Sequence, residues 1–206
     1  MNTFKLVPLV AVLSLFTHAM AAENCHYEAD ANSLKVNWTA YKTMQKVGVG
    51  GSFTEVTIEG DLSKTTFAAL VNQLDAEIEV GAPEKLSTGN PGRDVTIFQN
   101  FFSHFKPKAL LAGKLRNLKG NDQEGELNLV LKMNKKTLAV PMKYTRDSQG
   151  LLVIKGAIDV NDFGLQGALA SLHKSCELLH KGPDGVSKTW PQVEIKLQAM
   201  VAKVCK

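Results

Sequence analysis

The sequence predicts a mainly β domain, an eight-stranded antiparallel barrel with short helical insertions and one longer helix before the last strand. Three observations lead there. Apolar and polar residues alternate through most of the chain, and a period of two puts one set of side chains on one face of a sheet. Turn-forming clusters separate the later segments by only a few residues, as between antiparallel neighbours. No strand–helix–strand alternation and no repeat period is visible, which argues against a parallel α/β sheet. Closure removes exposed strand edges, and a barrel of about eight strands encloses packed side chains or one small ligand.

The elements follow in order. Residues 33–42 alternate through Leu34, Val36, Trp38 and Ala40 and form the first strand. Residues 47–60 form the second; its apolar set changes phase between Phe53 and Val56, so a bulge or sharp bend is expected there. Asp61 and Ser63 signal a helix start, and Phe67, Leu70 and Val71 recur at helical spacing, giving a turn or two over 66–72. Residues 74–80 are the third strand. Strands at 109–119, 126–134, 137–146, 151–160 and 193–204 complete the eight. Hairpin turns are expected at Gly120-Asn121-Asp122, Asn134-Lys135 and Asp147-Ser148-Gln149-Gly150. Between the last two strands, Leu165, Leu169, Leu172, Cys176 and Leu179 recur at helical spacing, predicting one amphipathic helix over 165–180 that Gly182-Pro183 ends.

The first 21 residues stand apart. Lys5 precedes an apolar run over 6–16, and Ala19-Met20-Ala21 fits the small-x-small cleavage rule, so residues 1–21 are expected to be a signal peptide and 22–206 the domain. The run is too short to span a bilayer, so no stable membrane anchor is expected. Loss of Lys5 takes the net charge from +4 to +3, and the lysines are scattered, which argues against nucleic-acid binding. Three cysteines follow residue 21, Cys25, Cys176 and Cys205. In an oxidising compartment this suggests one disulfide and one thiol. Antiparallel pairing of the first and last strands would favour Cys25–Cys205; Cys176–Cys205 is the alternative.

The densest chemistry lies at 86–105. Thr88, Gly89, Asn90, Pro91 and Gly92 favour a turn, Arg93 and Asp94 follow at a helix start, and Phe98, Phe101, Phe102 and Phe105 share one helical face. Arg93 is suited to a polar ligand head; paired with Asp94 it would instead pin the aromatic segment to the barrel. Met133 and Met142 suit an adaptable apolar wall. His173, Cys176 and His180 share a helix face and offer an alternative zinc or copper site, with His26 or His104 as a fourth ligand. Enzyme signatures are missing: there is no Gly-x-Ser-x-Gly elbow, His-Glu-x-x-His, phosphate loop or dinucleotide fingerprint. No catalytic residue and no cofactor is therefore expected.

The Trp38 strand, Gly51-x-Phe53 followed by Gly60, the Thr88-Gly89-Asn90…Arg93-Asp94…Phe101-Phe102 stretch and Asp162-Phe163-Gly164 occur in an order that resembles the YceI-like family of bacterial exported proteins. The resemblance covers the chain after the signal peptide. It implies a lipocalin-like barrel in the periplasm that holds a polyisoprenoid, an isoprenoid quinone, or a fatty acid or amide. The ligand-binding residues it implies are Trp38, Phe53, Arg93, Asp94, Phe98, Phe101, Phe102, Met133, Met142 and Phe163. It also implies a homodimer. The helix at 165–180, the cysteines and residues 181–190 depart from the family's pattern. The alternative from the same residues is a filled barrel, a protein-interaction or stress-response module working through 165–190.

Overall fold

The computed structural model describes residues 24–206, so the expected signal peptide at 1–21 lies outside the described residues. The strands are β1 (Cys25–Lys42), β2 (Val47–Phe53), β3 (Thr57–Glu59), β4 (Ser63–Lys64), β5 (Asp75–Glu79), β6 (Leu86–Ser87), β7 (Leu110–Gly120), β8 (Glu124–Met133), β9 (Lys136–Arg146), β10 (Leu151–Asp159) and β11 (Thr189–Cys205). The helices are α1 (Phe67–Val71), α2 (Pro91–Asn100) and α3 (Gln166–Ser175), with 3-10 turns at Pro83–Lys85, Phe102–His104 and Glu177–His180.

All the strands join one antiparallel sheet in the order β3-β5-β7-β8-β9-β10-β11-β1-β2-β6, and β4 adds to the start of β1. Seven of the eight expected strands are present as single strands, the first beginning earlier than expected, at Cys25, and β4 and β6 are short additions, so eleven strands form among the described residues. The phase change after Phe53 is a break rather than a bulge: it splits the second strand into β2 and β3. The sheet curls, but no ladder among the described residues joins β3 to β6, so closure by hydrogen bonds is incomplete. The seam is covered instead. Two-residue β6 pairs Ser52 and Phe53, the Thr54 amide donates to the Lys85 carbonyl at 3.1 Å, and α2 packs on β6 and the 83–85 turn. Covering an edge with a helix protects it without closing the ladder.

Register places the apolar halves of the strands on the inner face. Val36 lies opposite Leu197, Ile154 opposite Leu197 and Tyr144, and Leu129 opposite Val140 and Leu115. Three inner positions are glycines facing large side chains: Gly51 opposite Trp38, Gly125 opposite Tyr144 and Gly156 opposite Met142. At each, the partner side chain lies where a Cβ would be. These large groups therefore lie along the wall, as cross-strand aromatic–glycine pairs do.

One zone of the interior is filled. Phe67, Leu70 and Val71 of α1 are fully buried, and the Phe67 ring sits 5.8 Å from Tyr27 and 5.7 Å from Tyr144. Thr66 starts this helix by accepting from the Ala69 amide at 3.1 Å. Tyr27 donates to Asp122; burial, then this bond and the Asp122 charge, push its hydroxyl pKa up to about 12 against the opposing pull of Arg146.

Cys25 and Cys205 are register partners at the ends of the β1–β11 ladder and form a disulfide. Cys176 is free, so the alternative pairing with Cys205 is not formed. The bond closes a loop with a sequence separation of 180. Replacing both cysteines by serine is expected to lower the unfolding free energy by about 2–4 kcal/mol, the usual worth of a native disulfide. Urea denaturation of the two forms measures it, and equal midpoints would show that the ladder alone holds the termini.

Candidate functional site

The remainder of the interior is a cavity of about 650 Å³. Its walls are the inward residues of the sheet, among them Val36, Leu129, Leu131, Ile154 and Leu197, and α2 and α3 border it. The volume falls within the roughly 300–1,000 Å³ of small-molecule sites. The wall is apolar because the inward half of each alternating strand is apolar, so one pattern builds both sheet and cavity. The indole Nε1 of Trp38, a residue bordering the cavity, is buried without an acceptor among the described residues.

Helix α2 places the charged pair. Asn90 caps it by accepting from the Arg93 amide at 3.0 Å, and Pro91 occupies the first turn. Asp94, only 8% exposed, accepts from the Thr88 amide at 3.0 Å and the Thr88 hydroxyl at 2.6 Å. Its charge also sits favourably at the helix N-terminus. The expected Arg93–Asp94 pair is thus replaced by a Thr88–Asp94 clasp. Arg93 is exposed, borders the cavity and has no carboxylate partner among the described residues.

The phenylalanines do not share one helical face as expected, because α2 stops at Asn100. Phe101 leaves helical geometry at φ −125° and ψ −64°, and a 3-10 turn follows. The turn clusters three rings: Phe102 lies 5.3 Å from both Phe101 and Phe105, and 6.1 Å from Phe53. Of the residues expected at a ligand, Trp38, Phe53, Arg93, Phe101, Phe102 and Met133 border the cavity. Asp94, Phe98, Met142 and Phe163 do not. Asp94 is engaged by Thr88, Phe98 packs on the core from α2, Met142 lies over Gly156, and Phe163 is core at 1% exposure.

The expected helix over 165–180 is shorter. Helix α3 ends at Ser175, where the Cys176 amide is shared between the Leu172 and His173 carbonyls, and a 3-10 turn carries Glu177–His180. The one-face arrangement of His173, Cys176 and His180 is lost with the change of pitch. Instead His173 Nδ1 and His180 Nδ1 lie 2.9 and 2.6 Å from the Thr189 hydroxyl. The hydroxyl has one proton, so at most one of the two ring nitrogens accepts from it and at least one donates to its oxygen. Cys176 Sγ lies 3.7 Å from Ser175 Oγ, and among the described residues no three His, Cys, Asp or Glu side chains are grouped to hold a metal. The alternative metal site therefore lacks its geometry.

Sequence reading missed the polar mouth of the cavity, where Lys42, His180, Thr189 and Trp190 border it. Lys42 Nζ donates to the Leu179 carbonyl at 3.2 Å, and the Trp190 indole donates to the Thr43 carbonyl at 2.7 Å. These contacts join residues 137 and 147 positions apart, beyond the reach of any local pattern. The local signals were His180, read as a metal ligand, and Trp190, an aromatic residue after a polar loop.

Fold and cavity define a class, the lipocalin-like antiparallel barrels with an apolar interior. No family model and no curated protein matches the chain. Among solved structures it is similar to a polyisoprenoid-binding domain from Saccharophagus degradans implicated in plant cell wall breakdown, at 11% identity and a TM-score of 0.56, over 86% of this chain and 98% of that one. It is also similar to BcnA of Burkholderia cenocepacia, at 15% identity and a TM-score of 0.49 over 85% and 99% of the two chains. A Campylobacter jejuni YceI protein is similar at 16% identity and a TM-score of 0.47, over 80% and 89%. The first likeness shows the fold, a lipocalin-like antiparallel sheet of the kind expected from the sequence.

Burial, the Lys42 ammonium and His173 hold His180 below the ordinary histidine range. The unfolded chain therefore binds this proton more readily than the folded one, so stability falls as pH drops through about 6.5. His180→Gln is expected to flatten that part of the dependence. Urea midpoints of both proteins at pH values above and below this range check it; parallel curves would exclude His180 as the source.

Proposed function

We propose that the chain binds and carries a long-chain apolar molecule, a polyisoprenoid, isoprenoid quinone, or fatty acid or amide, within its barrel after export to the periplasm. The observation that carries this reading is the apolar cavity of about 650 Å³ inside a curled sheet. Each buried CH₂ contributes about 0.8 kcal/mol, so ten of them supply on the order of 8 kcal/mol before ordering costs. A dry wall thus holds such a chain without specific bonds. Specificity then rests on a few polar groups: the exposed guanidinium of Arg93 and the unpartnered indole N–H of Trp38 both suit an oxygen-bearing head.

The likeness to a polyisoprenoid-binding domain supports the same reading, and the Cys25–Cys205 disulfide supports an oxidising compartment. The role is binding rather than catalysis, because the interior is lined mainly by groups without acid–base or nucleophilic chemistry. A filled-barrel interaction module fits poorly with an open apolar interior of this size.

Native mass spectrometry of the protein purified from its own periplasm tests the proposal. An extra mass that organic extraction removes is the expected result. Ala40 and Ala76 project into the cavity, so Ala40→Phe and Ala76→Phe are expected to lose that mass while keeping a cooperative thermal transition. A bare mass persisting after incubation with prenyl lipids and fatty acids would overturn the reading.

A further inference from the structure

The cavity mouth carries an apolar surface that the binding role does not use. Among the described residues seven large hydrophobic side chains are exposed, and five of them, Met44, Val47, Leu178, Leu179 and Val186, fall on two segments, 43–47 and 177–188. Leu178 and Leu179 are 80% and 73% exposed, far more than scattered surface leucines need be. The change of pitch after Ser175 takes Leu179 out of the expected α3 stripe.

The two segments form one rim. The Thr43 amide donates to the Lys188 carbonyl at 2.9 Å, Gln45 donates to Asp184 at 3.4 Å, and the Lys188 amide donates to the His180 carbonyl at 3.2 Å. The rim is continuous with the cavity, since Lys42, Leu179 and Trp190 belong to both. It is also basic. The segments 43–47 and 177–188 hold three lysines, Lys46, Lys181 and Lys188, against two carboxylates, Glu177 and Asp184, and the flanking Lys42 and Lys174 bring the excess to +3. That excess of +3 equals the net charge of the whole chain after residue 21. None of the five lysines forms a salt bridge among the described residues. Lys46 and Lys188 lie 4.6 and 5.1 Å from the Trp190 ring.

Apolar tips, an indole and unpaired lysines around them are the composition of a surface that rests in a bilayer interface. We propose that this rim docks reversibly on an anionic phospholipid bilayer, so that an apolar ligand passes between membrane and cavity without crossing water. The passage rests on the carrier reading; the docking does not. No described helix is long and apolar enough to cross a membrane, and the proposed contact is peripheral. The basic excess selects a bilayer over an apolar protein partner, because anionic headgroups neutralise unpaired lysines over a broad surface.

Cosedimentation of the disulfide-bonded protein with vesicles of phosphatidylglycerol and phosphatidylcholine tests the proposal. Binding is expected, weaker at high salt and weaker still on pure phosphatidylcholine. Met44→Ser with Leu178→Ser, and separately Lys46→Glu with Lys181→Glu, should each lower the vesicle affinity at least about tenfold. Met200→Ser, an exposed apolar residue outside the two segments, should leave it unchanged. None of the four rim residues borders the cavity, so native mass spectrometry of the same variants reads ligand loading separately. Loading without vesicle binding would overturn the docking and leave the carrier. Vesicle binding by a protein that never carries a ligand would support the docking and overturn the carrier. Rim variants that bind vesicles normally but abolish a dimer in sedimentation would assign the patch to a second copy and overturn the proposal.

Discussion

Pairing of the first strand with the last is the constraint on which the rest depends. β1 and β11, of 18 and 17 residues, run antiparallel over nearly their whole lengths. Without that ladder the other strands form an open meander with two exposed edges. With it the sheet curls, Cys25 meets Cys205, and the α3 insertion comes to rest beside the β1–β2 hairpin. The mouth of the cavity is made there, from residues that are distant in sequence.

The interior stays open for a related reason. Inward positions alternate with outward ones on every long strand, so one face of the sheet is apolar throughout. A curled apolar face tends to fill itself, as the zone around Phe67 and Tyr144 does. Elsewhere the inner glycines let Trp38 and Met142 lie along the wall rather than across the cavity. Helices α2 and α3 roof the space instead of entering it. Interior volume is thus set by where glycine replaces a side chain and by where the helices stop.

The helical segments show where local pattern loses to tertiary context. Phe98 to Phe105 and Leu165 to Leu179 both read as continuous amphipathic helices, because recurrence at three and four positions is the helical signal. Each is broken into an α part and a 3-10 part. Phe101, Phe102 and Phe105 gain mutual ring contacts and contact with Phe53 that a straight helix would not supply. The break after Ser175 gives up a regular stripe and brings His173 and His180 together on Thr189. Helical spacing correctly marked which residues are apolar but not which way the chain carries them.

The sequence by itself determined most of the principal strands, their inner and outer faces and the short α1 segment, since period two and turn residues are local properties. Trp38, Phe53, Arg93, Phe101, Phe102 and Met133, which the family resemblance implies at a ligand, border one cavity. Only the tertiary structure decided that Asp94 binds Thr88 rather than Arg93, that the seam between β3 and β6 is covered instead of closed, and that Lys42, His180 and Trp190 share a mouth. Those outcomes depend on contacts across the β1–β11 ladder or on competition between hydrogen-bond partners, and neither leaves a periodic trace in the chain.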